Sequence, residues 1–368
     1  MTDLIGELRA RRLVRELDPI RRPGAGRPTR PIAFDGEPWC VFGVQIDVDR
    51  VDVVASTVGG RPLWADYSQV DLRGAGPAGY ASIADVLRRQ LDRIPDDMHL
   101  VAVEIAVPGH VAIDRGTVRR SDSLAWHDFA LGAAVLATLS EAGIDQASVG
   151  VSNGCQLAAL YASRIEQPVG RNGIAVYLGG NRRLGSGLVS RGEIFRGADG
   201  WGGDFAHLNR DPSGPLCFCG RRGCLESLAG PSALLSRVSP MTIDEARHLV
   251  QDQPEKAIQL ITEAAESGEP AVADALEQVG NTLGGAIDDI ISAVNPNVVL
   301  LGGYLGLISR HLLPSVQSRL TDRFAVGAIE PTEVQGLDSV NDRVINGAIL
   351  AARDACFYDP LALTRPLD

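Results

Sequence analysis

Three cysteines and one histidine within eighteen residues constrain this chain more than any other feature. They lie in Trp201 to Leu228, as Cys217-Phe218-Cys219-Gly220-Arg221-Arg222-Gly223-Cys224 with His207 ten positions before the first thiol. A Cys3His set is a standard closed tetrahedral zinc site. Gly220 and Gly223 let the backbone turn back within a few residues, so that neighbouring thiolates can converge on one ion. His207, Cys217, Cys219 and Cys224 are therefore the expected Zn²⁺ ligands. Four protein ligands imply a structural metal, because a catalytic zinc usually keeps a position open. The alternative is three small buried hydrophobes, or a disulfide with a spare thiol.

The 368 residues suggest two or three domains, and a hydrophobic fraction of 45% allows a sizeable core. No apolar run approaches the length of a membrane span, and Met1 to Arg12 lacks an apolar signal core. Six cysteines, three of them ligand-like, suit a reducing cytoplasm. Cys40, Cys155 and Cys356 stand alone and read as core packing. A net charge of −11 argues against a protein that coats nucleic acid over its whole surface. The first thirty residues nevertheless carry +4, which leaves −15 on the rest. A basic arm on an acidic body fits local DNA contact, and it equally fits a solvated Arg-rich tail.

Along the chain, Leu4, Ile5 and Leu8 have helical spacing, and Leu13 to Leu17 is strand-like. The turn-rich Arg21-Arg22-Pro23-Gly24-Ala25-Gly26-Arg27-Pro28 leads into a second strand, Pro31 to Phe34. This order is that of the back half of a winged helix. From Trp39 the pattern changes. Val41–Ile46 and Val51–Ala55 read as strands, and a third strand-like segment ends near Leu63-Trp64. Residues 79–93 read as an amphipathic helix and Leu100–Val107 as a buried strand. Helices are expected over Phe129–Ala142 and Cys155–Ile165, and strands at Ala147–Val151, Gly173–Leu178 and Gly187–Val189. The stretch from Ile243 to Ile290 is helical with breaks. Asn297–Leu301 is an apolar strand, and Val344–Cys356 closes the chain as a helix.

The signature Cys-x-Cys-Gly-x-x-Gly-Cys-x-Glu, with a His ten residues upstream, resembles that of the ROK family (repressors, open reading frames and kinases). The resemblance extends from about Gly26 to Tyr358. It implies an α/β chain of two actin-like (ribonuclease H-like) ATPase lobes with a Cys3His zinc module, preceded by a partial winged-helix segment. The implied division is a residual winged-helix arm over 1–37, a first lobe over 38–142 plus 343–360, and a second lobe with the zinc module over 143–342. Gly26-Arg27-Pro28 resembles the motif that follows the wing of ROK repressors. Arg21, Arg22 and Arg27 are then the candidate DNA contacts. The first two helices of such a unit are missing from this arm, so DNA binding is expected to be weak.

The resemblance also implies a hexose site between the lobes, with Asn153, Asp204, His207 and Glu226 as sugar contacts. The alternative for each is an ordinary surface polar group. Family kinases cradle phosphate on Asp-x-Gly-Gly-Thr after the first strand. Here the stretch is Gln45-Ile46-Asp47-Val48-Asp49, whose carboxylates repel phosphate and whose Val48 lacks glycine's freedom. Family kinases take the hydroxyl proton with the Asp of Asn-Asp, and here the pair is Asn153-Gly154. Glycine carries no base. In Gly203-Asp204-Phe205-Ala206-His207, Asp204 stands where the family has a sugar-binding Glu. Leu184 to Gly187 and Gly302 to Gly306 match phosphate- and adenosine-facing regions, and read here as tight turns. The expectation is a regulator with no catalytic residue, which senses a sugar or sugar-like ligand and forms a homodimer or higher homo-oligomer. The alternative is an ATP-dependent sugar kinase with an atypical active site.

Overall fold

The computed structural model describes residues 2–19, 30–170, 172–324, 331–337 and 342–363. The chain divides into two compact units, one of residues 1–154 with 344–368 and the other of residues 155–343.

The first unit is built on a five-stranded sheet. Its strands are β3 (Trp39–Ile46), β4 (Arg50–Thr57), β5 (Pro62–Gln69), β6 (His99–Val107) and β10 (Ser148–Asn153). They lie in the order β10-β6-β3-β4-β5. β10, β6 and β3 run parallel, and β4 and β5 return antiparallel. The central strands are buried on both faces, which is why β3 and β6 are near-continuous apolar runs. β5 is the outer edge and alternates between wet and dry. It begins at Pro62, so the third strand starts near Leu63-Trp64 rather than ending there. Helix α2 (Tyr80–Leu91) buries Ile83, Val86, Leu87 and Leu91, a stripe at helical spacing. The closing helix α12 (Arg343–Tyr358) packs so closely on β3 that a Cβ at Gly43 would stand 2.9 Å from Ile349.

Preceding this sheet are α1 (Thr2–Ala10) and the antiparallel pair β1 (Val14–Glu16) and β2 (Ile32–Phe34). Leu13 is buried with Trp39, Val41 and Cys356. The Trp39 indole donates to the Arg11 carbonyl at 2.6 Å. The arm is thus anchored on the first unit. Arg21, Arg22, Arg27 and the Gly-Arg-Pro motif lie outside the described residues. A small sheet, β7 (His110–Val111), β8 (Val118–Ser121) and β9 (Trp126–Phe129), and helix α3 (Leu131–Glu141) complete the unit. The division falls at Gly154 rather than at 142, because β10 pairs with β6 along its whole length and belongs to the first sheet.

The second unit opens with α4 (Gly154–Tyr161) and carries the other five-stranded sheet. Its strands are β11 (Ile174–Gly179), β12 (Gly185–Ser190), β13 (Glu193–Ile194), β14 (Val298–Leu301) and β15 (Glu333–Gly336). They lie in the order β13-β12-β11-β14-β15. The expected helical stretch is three helices: α7 (Ile243–Asp252), α8 (Pro254–Glu266) and α9 (Pro270–Val294). A capping box between Thr242 and Glu245 starts α7, and the left-handed Asn295 ends α9. The shorter α5 (Leu225–Ala229), α6 (Pro231–Val238) and α10 (Gly303–Leu307), with α11 (Ser309–Phe324), complete the core around α9.

Candidate metal centre and ligand site

The segment from Trp201 to Leu228 folds as a tight knuckle on the second unit. A short helical turn, Phe205–His207, presents the imidazole. Two isolated bridges, Asn209 with Cys224 and Leu216 with Arg222, fold the chain back on itself. Within the turn, Cys217 donates its N–H to Arg221 O at 2.7 Å, and Gly220 donates to Cys217 O at 2.9 Å. Gly220 and Gly223 have φ of +88° and +63°, the left-handed region that glycine enters without strain. A side chain at Gly223 would strike the Asp211 carbonyl.

The ligand atoms of His207, Cys217, Cys219 and Cys224 all lie within 4.8 Å of one another. Cys217 Sγ stands 3.6 Å from His207 Nδ1, and Cys219 Sγ stands 3.6 Å from Cys224 Sγ. Sulfurs on a tetrahedron with Zn–S near 2.3 Å are about 3.8 Å apart. The donor set therefore fits such an ion with little movement, and none of the thiols is in a disulfide. Burial pushes the Cys217 thiol up to about 12. A divalent cation removes that cost by stabilising the thiolate. Burial also holds the His207 imidazole below its usual range, toward the neutral form that ligates metals.

Beside the knuckle lie Asp204 and Glu226. Ser186 on β12 fixes the turn that carries Asp204. Its hydroxyl donates to Gly203 O at 2.7 Å and accepts from Phe205 N at 2.7 Å. Glu226 follows the last cysteine by two residues, and its Oε2 accepts from Leu184 N at 2.6 Å. Burial raises the Glu226 carboxyl to about 8, against the Leu184 hydrogen bond and the Arg183 charge. The Arg183 guanidinium stacks 3.6 Å from the centre of the Phe218 ring, and Phe218 meets His207 edge-on at 5.1 Å. The structure thus brings Asp204, His207 and Glu226 together on the second unit, and adds Arg183, Ser186 and Phe218. Asn153 belongs to the first unit. It ends β10, and its Nδ2 donates to Gly109 O at 2.7 Å.

The turn between β3 and β4 has no cradle for phosphate. Asp47 N–H donates to Arg50 O at 3.0 Å, and Val48 N–H to Asp47 Oδ1 at 2.7 Å. Val48 is 3% exposed and part of the first unit's core. At Gly154, a Cβ would meet Val344 Cγ1 at 3.4 Å, an ordinary contact. Packing therefore tolerates a side chain there, and the chain carries none. The other glycines serve close approach within the second unit. A side chain at Gly185 would meet Cys155 Sγ, one at Gly302 the Tyr177 ring, and Gly303 turns at φ +54° against the Gly180 carbonyl.

The two α/β units share their fold with solved ROK structures, among them a transcriptional regulator and a glucokinase. A profile of the ROK family matches residues 79–355, and the chain belongs to that family. The DNA-binding transcriptional dual regulator NagC of Escherichia coli K12 is 24% identical over 334 residues, 86% of this chain and 76% of its own length. Kanosamine kinase of Amycolatopsis mediterranei is 29% identical over 276 residues, 74% of this chain and 84% of its own. Among solved structures, a ROK family transcriptional regulator, a homolog of the E. coli MLC protein, superposes with a TM-score of 0.79 at 22% identity. It covers 98% of this chain and 89% of its own. Among the described residues, no helix is long and apolar enough to cross a membrane.

Proposed function

We propose that this protein is a non-catalytic ROK-type transcriptional regulator of the cytoplasm that senses a sugar or sugar-like ligand. The observation that carries the reading is the loss of both halves of a phosphotransfer site. Position 154 is glycine, and the amides of Asp47 and Val48 are engaged inside their own turn. Phosphoryl transfer rests on positioning and on charge stabilisation at the phosphates, and a base must take the hydroxyl proton. The likeness to a regulator that spans 98% of the chain supports the same reading.

In this reading His207, Cys217, Cys219 and Cys224 hold a structural Zn²⁺. The ion supplies rigidity and no chemistry. It fixes the knuckle, so that His207 and Glu226 present a constant face to the hydroxyls of the ligand. Asp204 adds a carboxylate one methylene shorter than glutamate. The partial winged segment, with Arg21, Arg22 and Arg27, contacts DNA phosphates weakly, and the protein works as a homo-oligomer. Isothermal titration against a panel of hexoses, pentoses and amino sugars, run with an assay of ADP release, tests the proposal. Saturable binding without turnover is expected. Phosphorylation of any sugar in the panel at an ordinary kinase rate would overturn it and favour the kinase reading, for which the kanosamine kinase relative is the argument.

A further inference from the structure

A charge pair with one buried partner lies in the first unit, apart from the site just described. Glu104 sits in the middle of the apolar strand β6 and is 2% exposed. Arg115 Nη2 stands 2.5 Å from its Oε2, and the Ser152 hydroxyl donates to its Oε1 at 2.5 Å. Beside the pair is a cavity of about 220 Å³ between the β6–β10 edge, helix α12 and the Asp114-Arg115 turn. Small residues keep it open, among them Ala102, Ser148, Gly150 and Ala352. In the β6–β10 register Gly150 lies opposite Glu104, and any side chain there would strike both Glu104 Oε2 and Arg115 Nη2.

Two further features point to an occupant. Arg115 has φ of +56°, a left-handed conformation that strains a residue with a Cβ and that recurs at ligand sites. Its Nε is buried and has no hydrogen-bond partner among the described residues. A buried donor without an acceptor is costly, and a ligand oxygen relieves it.

The charges of the lining select the ligand. Glu104 is neutralised by Arg115, and Asp114 is engaged by the N–H groups of Gly116 and Thr117. The Glu104–Arg115 pair offers an ion no net charge, Asp114 keeps its negative charge on an exposed turn where solvent screens it, and an anion would face both carboxylates. What the walls offer is one orphan N–H, hydroxyl and carboxylate acceptors, and apolar alanine faces. A cavity of roughly 150 Å³ takes benzene with its six heavy atoms, so this one takes about nine. We propose that the cavity is a second small-molecule site, which binds a neutral polyhydroxylated compound of four or five carbons.

The test uses the full chain with alanine methyl groups labelled in ¹³C, titrated with erythritol and with xylitol. Erythronate serves as the anionic control. Saturable shifts of the Ala102, Ala352 and Ala355 methyls are expected with either polyol, and none with erythronate. Ser148→Leu fills the cavity without touching the ion pair, and Arg115→Lys removes Nε–H but keeps the charge. Each should weaken binding at least tenfold, whereas Glu226→Gln, in the other unit, should leave it unchanged. If Ser148→Leu fails to fold, Arg115→Lys alone decides. The proposal is overturned if neither polyol shifts those methyls, if both variants bind as the wild type does, or if erythronate binds equally well.

Discussion

Leu184 donates its backbone N–H to Glu226 Oε2 at 2.6 Å, which ties the acidic residue after the Cys3His knuckle to the start of β12. Glu226→Ala leaves that donor without its acceptor and should cost about 1–3 kcal/mol. Glu226→Gln keeps an acceptor oxygen and should cost less. Urea titrations of the two variants measure the difference, with metal content unchanged in both. Equal losses would show that the hydrogen bond is immaterial.

Cys219→Ser should abolish stoichiometric zinc binding and lower the melting temperature. Structural zinc in small fingers contributes on the order of 10–16 kcal/mol of apparent binding energy, and a zinc held by this knuckle would add part of that to the folding energy of the second unit. Elemental analysis of protein purified without chelators checks the first claim, and calorimetry checks the second. Wild-type protein without zinc would end the assignment.

No hexose should be phosphorylated at or above about 1 s⁻¹, the lower end of the kinase range. Gly154→Asp should fold normally, since its Cβ meets Val344 and the Val107 carbonyl at ordinary contact distances. It should remain inactive, because the Asp47 and Val48 amides stay occupied. Turnover by the variant alone would mean that the base was the sole missing part.

DNA binding should be weak, non-specific and steeply salt-dependent. Changing Arg21, Arg22 and Arg27 together to Ala should flatten the plot of log K against log salt. Its slope should fall by about 0.9 for each phosphate that is no longer neutralised, roughly 2.7 for three. Fluorescence anisotropy at several salt concentrations reads the slope. Tight, sequence-selective binding would show that another surface reads the bases.

Stability should fall on the alkaline side. Burial pushes the thiols of Cys40, Cys155 and Cys356 up to about 12 from an ordinary value of 9.0. Between those values the unfolded chain gives up these protons and the folded chain keeps them, so their stabilising effect, full below pH 9, drains away as pH rises toward 12. Each thiol contributes a slope of about 1.4 kcal/mol per pH unit. Replacing all three with Ala should flatten the curve measured by urea unfolding at pH 8 to 11.

Much of this architecture can be read from periodicity. β3, β6, β11 and β14 are apolar runs buried on both sides, and α2 and α9 carry unbroken stripes. The small sheet of β7, β8 and β9 is not legible, because its strands are two to four residues long and expose charged Arg119 and Arg120. β15, Glu333–Gly336, is too polar and too short to stand out. The start of β5 is obscured for a related reason: on a half-wet edge strand, Leu63 and Trp64 are its most apolar residues. At the site, cysteine and histidine announce themselves by type and spacing. Arg183 and Phe218 do not, since nothing in thirty-five residues of separation says that a guanidinium will stack on that ring. The Asp47 carboxylate turning back on the next amide is likewise a matter of rotamer, not of pattern.

Val48 gives the β3–β4 turn a second occupation. Its side chain is buried in the same apolar cluster as Phe42, Ile46 and Leu72, so the residue that closes the turn also belongs to the core of the unit. Replacing it with glycine to admit a phosphate would forfeit about 1.5–3 kcal/mol of burial and loosen the chain there. A missing carboxylate at 154 is one substitution from repair, whereas an open loop at 48 requires the surrounding core to be rebuilt first. On the proposed reading, phosphoryl transfer would need a rebuilt core around position 48 as well as a carboxylate at 154.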